Sequence, residues 1–248
     1  MRESAPSLYE PVNVYKALAP SIGIVDGPFE YLTVAGIRLP MPFTTRMTVV
    51  RLANGELLLH SPIAFNETLA KDLRSRGVIR HLVSPNQFHY AHISEWADAF
   101  PEAITWGLAQ AYKLAQLRGI DLHFTKHLTE SAPREWTEEI DQTLVPGGIF
   151  KEFAFFHMNS KILILTDTII NIELHKINQP WRFATWLTGM HYPFGQIFFG
   201  MRLPQLLQRR RTRAAFAKIR SWNPERIVLS HGHCFDENVA ETVHRFFH

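Results

Sequence analysis

The chain has 248 residues, 46% of them hydrophobic and 20% charged, which suits a globular fold with a sizeable core and excludes a disordered tail. The net charge of +3 is too small to argue for nucleic acid by itself, and much of the excess sits in one cluster near residue 210. A single cysteine, Cys234, excludes an intrachain disulfide and fits a reducing compartment.

The N-terminus (MRESAPSLYEPVNVYKALAP) lacks the basic start and apolar run of a signal peptide, and no stretch reaches the ~20 apolar residues that span a bilayer. The expected location is therefore cytoplasmic. IGIVDG, EYLTVAG, TRMTVVRL and ELLLHSPI read as strands separated by Gly, Pro or Asn-Gly, with Asn54-Gly55 as a hairpin turn. Asn66 caps a predicted helix over ETLAKDLRSR that stops at Gly77. VIRHLVS (78–84) is a short buried strand, followed by a helix from about His92, a strand at AITWG and a helix over LAQAYKLAQL. Residues 121–141 are polar and irregular.

From Thr143 the strand pattern returns in QTLVPGGIF, KEFAFFH and KILILTD, with Met158-Asn159-Ser160 as a turn. Residues 168–220 read as mostly helical, RIVLS as a final strand, and Asp236 as the cap of a closing helix. Helices flanking mixed sheets fit an α/β sandwich. Ligands in open α/β folds sit at loops off the carboxyl ends of strands. Three strand ends carry candidate metal ligands: LVS runs into NQFHYAH, KILILT ends at Asp167, and RIVLS ends at His231.

On TRMTVVRLANGELLLHSPI, HLVSPNQFHYAHISEWADAFPEA, EFAFFHMNSKILILTDTIIN and RIVLSHGH, the chain resembles the metallo-β-lactamase superfamily over roughly residues 20–245. More narrowly it resembles an uncharacterised branch of it, classed as a domain of unknown function. The resemblance implies one domain over 1–248, an α/β four-layer αββα sandwich, with 168–220 as a helical C-terminal insertion. Superfamily hydrolases place His-x-His-x-Asp-His after one strand, a His before a later hairpin, an Asp at its end and a last His after a final strand. His89 and His92 match the second and third histidines of the first motif, Asp167 the bridging Asp, and His231 the last His. Gln87 and Ala91 stand where the first His and the Asp belong, and LVPGGIFKE has no ligand before the hairpin.

A two-metal site takes about seven or eight protein ligands, and the match supplies four. The resemblance thus implies either a single Zn or Fe ion held by His89, His92, Asp167 and His231, or a metal-free variant. The activity it implies is a metal-dependent hydrolase of an ester, lactone, thioester or phosphodiester. The alternative is a non-catalytic member whose pocket binds a small molecule or partner, and the missing first-motif Asp, which would orient water, weighs toward it.

Each candidate also has a plainer role. His89 could be a histidine hydrogen-bonded at a helix start, and His92 a plain helix-face residue. Asp167 could cap a helix from Thr168, and His231 could be an ordinary loop histidine ahead of the turn at Gly232. Asn86 and Glu152 could contact substrate, or could cap or sit at the surface. His157 is rejected as a ligand, since seven extended residues at ~3.3 Å each put it roughly 20 Å from Asp167. His60 reads as structural. The aromatic segment 181–207 reads as core helices over one sheet face. The other readings are a lid of 181–207 lining a pocket for an apolar or aromatic substrate and a peripheral membrane contact through 181–213, with QRRRTR (208–213) as a solvated helix face or as a site for phosphate or acidic lipid. No G-x-S-x-G, P-loop or G-x-G-x-x-G is present, and a small molecule is the expected partner rather than nucleic acid.

Overall fold

Asn54-Gly55 makes the turn it predicts: Gly55 sits at φ +84° and Asn54 Oδ1 accepts the amide of Glu56 at 3.0 Å. The computed structural model describes residues 6–34, 37–117 and 119–248, and of residues 32–41 the backbone alone. Met1–Ala5 and the Ala35-Gly36 end of the predicted EYLTVAG strand lie outside the described residues. The chain divides into two compact units, one covering Leu8–Leu128 and the other Thr129–His248 together with the N-terminal residues through Ser7.

The first unit is built on strands β1 (Tyr15–Ala19), β2 (Ile22–Val34), β3 (Ile37–Arg51), β4 (Glu56–His60), β5 (Val78–Val83), β6 (Ile104–Gly107) and β7 (Lys126–His127). They form one sheet in sequence order. The pairs up to β3–β4 are antiparallel and those from β4–β5 onward are parallel. Three helices fill the parallel crossovers: α1 (Glu67–Arg76), α2 (Ile93–Ala99) and α3 (Ala111–Leu117). Asn66 Oδ1 caps α1 by accepting the amide of Leu69 at 2.9 Å, as the sequence predicts. Leu69, Ala70 and Leu73 share one helix face. They pack with Ile93 and Trp96 against Val49, Leu57, Leu59 and Ile79 of the sheet.

Two strand boundaries differ from expectation. IGIVDG and EYLTVAG run together as β2, because Gly27-Pro28 shifts the register between Asp26 and Phe29 instead of turning the chain. YKALA, assigned no element from the sequence, pairs as the edge strand β1 with a register shift of its own.

The second unit holds strands β8 (Ile140–Val145), β9 (Glu152–His157), β10 (Ile162–Leu165), β11 (Ile169–Ile170), β12 (Gln196–Ile197) and β13 (Arg226–Leu229). Its main sheet has the order β13-β10-β9-β8. β8, β9 and β10 form an antiparallel meander, and β13 joins β10 in parallel. Every residue of β9 and β10 is buried. Four helices follow: α4 (Trp181–Leu187), α5 (Phe199–Leu207), α6 (Arg209–Ser221) and α7 (Val239–Phe246). Phe216 and Ile219 of α6 and Val239, Val243 and Phe246 of α7 pack on Leu163, Leu165, Ile227 and Leu229.

Three expectations for this half are corrected. Thr168 starts no helix; β11 follows and pairs with β12, so Asp167 caps nothing. α7 begins after Asn238, at φ +50°, and Asp236 is not its cap. Segment 181–207 is not a core layer: Met201 joins the core, whereas α4 and α5 leave much of their apolar surface exposed. Among the described residues, no helix is long and apolar enough to cross a membrane.

Candidate metal centre

The register of β10 with β13 brings Asp167 and His231 together. Leu165 pairs with Leu229, and the amide of Ser230 donates to the oxygen of Leu165 at 3.1 Å. Asp167 and His231 each lie two residues beyond that pair, at equal offset off adjacent parallel strands. Asp167 Oδ1 stands 3.4 Å from His231 Nε2, and the two side chains are 17% and 10% exposed. Two ligands bound at about 2.0–2.1 Å and a tetrahedral angle sit about 3.3–3.4 Å apart. An imidazole nitrogen and a carboxylate oxygen at this spacing fit a zinc- or iron-type ion in both donor chemistry and geometry.

Each loop is held by a buried polar side chain. Glu152, the first residue of β9, is fully buried. Its Oε2 accepts the amide of Asp167 at 2.5 Å and the hydroxyl of Thr166, and its Oε1 accepts the amide of Thr166 at 3.2 Å. Burial, and next the charge of Asp167, push the Glu152 carboxyl above its usual range. Glu152 is not at the surface; it positions the Asp167 loop.

The His231 loop is clamped by Asn171, just after β11. Asn171 Nδ2 donates to the oxygen of His233 at 2.9 Å, and the amide of His233 donates to the oxygen of Asn171 at 2.8 Å. Gly232 makes the turn at φ +86°, where a Cβ would lie 2.2 Å from the Asn171 oxygen. The sequence reading missed Asn171, which stands four residues past Asp167 with no motif around it.

In the first unit, His89 follows β5. Asn86, fully buried, accepts the amides of Phe88 at 2.7 Å and His89 at 2.9 Å through Oδ1. Asn86 thus caps the turn that presents His89, which is a positioning role. His89 Nδ1 lies 2.5 Å from Ser61 Oγ. Ser61 follows β4 at φ +56°, and its amide donates to the oxygen of Val83 at 2.8 Å. A hydroxyl on Nδ1 fixes the ring and directs a metal to Nε2. Neighbouring His60 is fully buried, and burial followed by the charge of His89 lowers its pKa to about 3. It is neutral at any physiological pH, in keeping with a structural role.

His92 is placed differently. Its Nε2 lies 3.0 Å from Glu30 Oε1 and its Nδ1 3.2 Å from both Glu95 oxygens. Burial lowers its pKa, but the bonds to Glu30 and Glu95 outweigh that and raise it overall. Both ring nitrogens are held as donors to carboxylates, the opposite of what a metal ligand needs. His92 is therefore set aside as a ligand. His157 bonds Ser160 Oγ at 2.6 Å at the turn between β9 and β10, the end of that hairpin away from Asp167.

Comparison with solved structures defines the class of fold. The chain is similar to the DIM-1 metallo-β-lactamase, with TM-score 0.61, 12% identity and 97% of each chain covered. It is similar to FIM-1 from Pseudomonas aeruginosa in its mono-zinc form, with TM-score 0.60, 10% identity and coverage of 98% of this chain and 96% of that one. It is also similar to a metallo-β-lactamase from Hirschia baltica, with TM-score 0.59, 12% identity and coverage of 94% and 97%. The protein has the α/β fold of the metallo-β-lactamases, as the sequence resemblance implies.

Within that class, the family model described as Domain of unknown function (DUF4336) matches residues 33–180, and the chain belongs to that family. No curated protein matches the sequence.

Proposed function

We propose that the protein is a metal-dependent hydrolase that uses one ion, Zn or Fe, with Asp167 and His231 as ligands off β10 and β13 and His89 as the further ligand that the sequence resemblance implies. The observation that carries this reading is the 3.4 Å spacing of Asp167 Oδ1 and His231 Nε2, off strands of fixed register. Removing His92 from the expected set strengthens it. Four protein ligands close a tetrahedral site, whereas three leave the position that catalytic zinc sites keep for water. The similar structure of FIM-1 is described in a mono-zinc form, a precedent for a single ion in this fold.

When bound, such an ion acts as a Lewis acid and lowers the pKa of bound water toward neutrality. The chain's own residues do the positioning. His89 and His231 would act as neutral imidazoles, with Ser61 fixing the tautomer of His89. Glu152 holds the backbone that carries Asp167, and Asn171 and Gly232 hold the turn that carries His231. Ala91 leaves the first motif without a carboxylate to orient water, so esters, lactones and thioesters of good leaving groups are the substrates to try first, then phosphodiesters. Ala91 also favours the second reading, a non-catalytic protein that binds a small molecule in the same place.

The deciding experiment is elemental analysis of protein purified without an affinity tag, beside Asp167→Ala and His231→Ala, with the substrate panel assayed in parallel. About one equivalent of Zn or Fe in the wild-type protein, lost in both variants and accompanied by turnover, is the expected result. Metal without turnover on any class selects the binding reading. Equal and negligible metal in all three proteins removes the site.

A further inference from the structure

We propose that the segment 183–213 docks the protein onto an anionic phospholipid surface. The proposal is independent of the metal centre and rests on exposure and charge. From residue 174 to residue 224 the sequence contains no Asp or Glu and nine Lys or Arg. With a net charge of +3 overall, this stretch carries +9 and the rest of the chain −6. Lys218 is engaged by Asp141, and Arg182 and Arg220 by backbone oxygens. Arg202, Arg209, Arg210, Arg211 and Arg213 are all exposed.

The same stretch holds nine of the fourteen exposed large hydrophobic residues among those described. On α4, Phe183 and Trp186 stack with ring centroids 5.9 Å apart and are 58% and 55% exposed, beside Leu187 at 67%. α5 is inverted relative to an ordinary surface helix. It buries Met201 and the polar Gln205, and it exposes Phe199, Leu203, Leu206 and Leu207. α6 follows directly, with Arg209–Arg211 and Arg213 exposed and Thr212, Ala215, Phe216 and Ile219 buried. Projecting Trp, Phe and Leu next to unshared arginines is the composition of an interfacial element. The apolar groups enter the headgroup boundary and the cations meet phosphates.

Charge selects this occupant over a second copy of the chain. A two-fold contact would press two arginine-rich segments together, with no carboxylate from residue 174 to residue 224 on either side to pair them. A phospholipid surface supplies delocalised negative charge and an apolar layer beneath it.

The test is flotation of the full chain with vesicles of phosphatidylcholine alone, and with phosphatidylcholine containing roughly one third phosphatidylglycerol. The protein should float with the anionic vesicles only and be released by high salt. R209Q/R210Q/R211Q/R213Q should weaken partitioning on the order of 1,000-fold, from the loss of four basic groups. L203S/L206S/L207S should abolish flotation while keeping the wild-type circular dichroism and melting profile. No flotation on anionic vesicles, or equal flotation on neutral ones, overturns the proposal. So does a concentration-dependent dimer that the leucine variant dissociates.

Discussion

The amide of Asp167 donates to Oε2 of Glu152, and Glu152 is entirely shielded from water. A carboxylate is costly to bury, and this one is retained because it accepts three hydrogen bonds from residues 166 and 167. Glu152→Ala leaves two amides and a hydroxyl without their acceptor, and should destabilise the protein by about 2–3 kcal/mol. Glu152→Gln keeps one acceptor oxygen and should cost about half as much. Urea unfolding of the two variants checks the order; an alanine variant as stable as wild type contradicts the positioning role.

Gly232 has no room for a side chain. Alanine there would have to leave φ +86° and move away from the Asn171 oxygen. Gly232→Ala should cost about 3 kcal/mol and unseat the His231 turn. Denaturant midpoints, with the histidine signals in a proton NMR spectrum, measure both effects. A loss under about 0.5 kcal/mol would show that the loop relaxes freely.

The pair Glu30 and Glu95 gives His92 a pH-dependent part in stability. Its folded pKa is raised, so the bridge contributes fully below the unfolded value of about 6.5 and fades as pH rises through the folded value. Glu30 and Glu95 are partly exposed, which screens the interaction. His92→Gln should therefore cost about 0.5–1 kcal/mol near pH 5.5 and close to nothing near pH 9. An equal cost at both values would mean the ring acts only through packing.

Asp141 behaves in the opposite sense. Burial alone would raise its pKa, but hydrogen bonds from Lys218 Nζ and Trp222 Nε1, both at 2.8 Å, bring it below the usual carboxylate range. Its stabilisation is present above the unfolded value of about 3.9 and is lost as pH falls through the depressed folded value. Because the pair is about a third exposed, Asp141→Asn should cost only about 1 kcal/mol at neutral pH. That difference should vanish once pH has fallen below the depressed folded value. A cost that persists in acid would assign it to the amide's poorer fit.

Much of the fold is legible in the sequence because its signals are local. The Asn54-Gly55 turn, the Asn66 cap and the alternating or continuous apolar runs of β3 to β6 and β8 to β10 fall where predicted. What fails depends on context. Gly27-Pro28 reads as a break but acts as a bulge, since the flanking residues find partners on β3. Thr168–Ile170 reads as a helix start, yet pairs with Gln196-Ile197, a partner too far along the chain for any local pattern to reveal.

The site shows the same division. Asp167 and His231 stand out as polar residues ending apolar strands, and the register of β10 with β13 brings them together. His92 has the right spacing from His89, but Glu30 lies 62 positions away and no window contains both. Asn86 and Glu152 were legible as polar residues near the ligands but not as clamps. Which way a buried oxygen points depends on backbone amides that the sequence does not display.

Each of the three clamps bonds the turn it serves directly: Asn86 at 88 and 89, Glu152 at 166 and 167, Asn171 at 233. No hydrogen bond named for one clamp is shared with another, so an edit at one turn leaves the bonds of the other two clamps in place, although ligand edits around one ion would couple in free energy. The scaffold is thus suited to grafting: a histidine at Gln87 and an aspartate at Ala91 could be installed one at a time, with the other two turns keeping their conformation throughout.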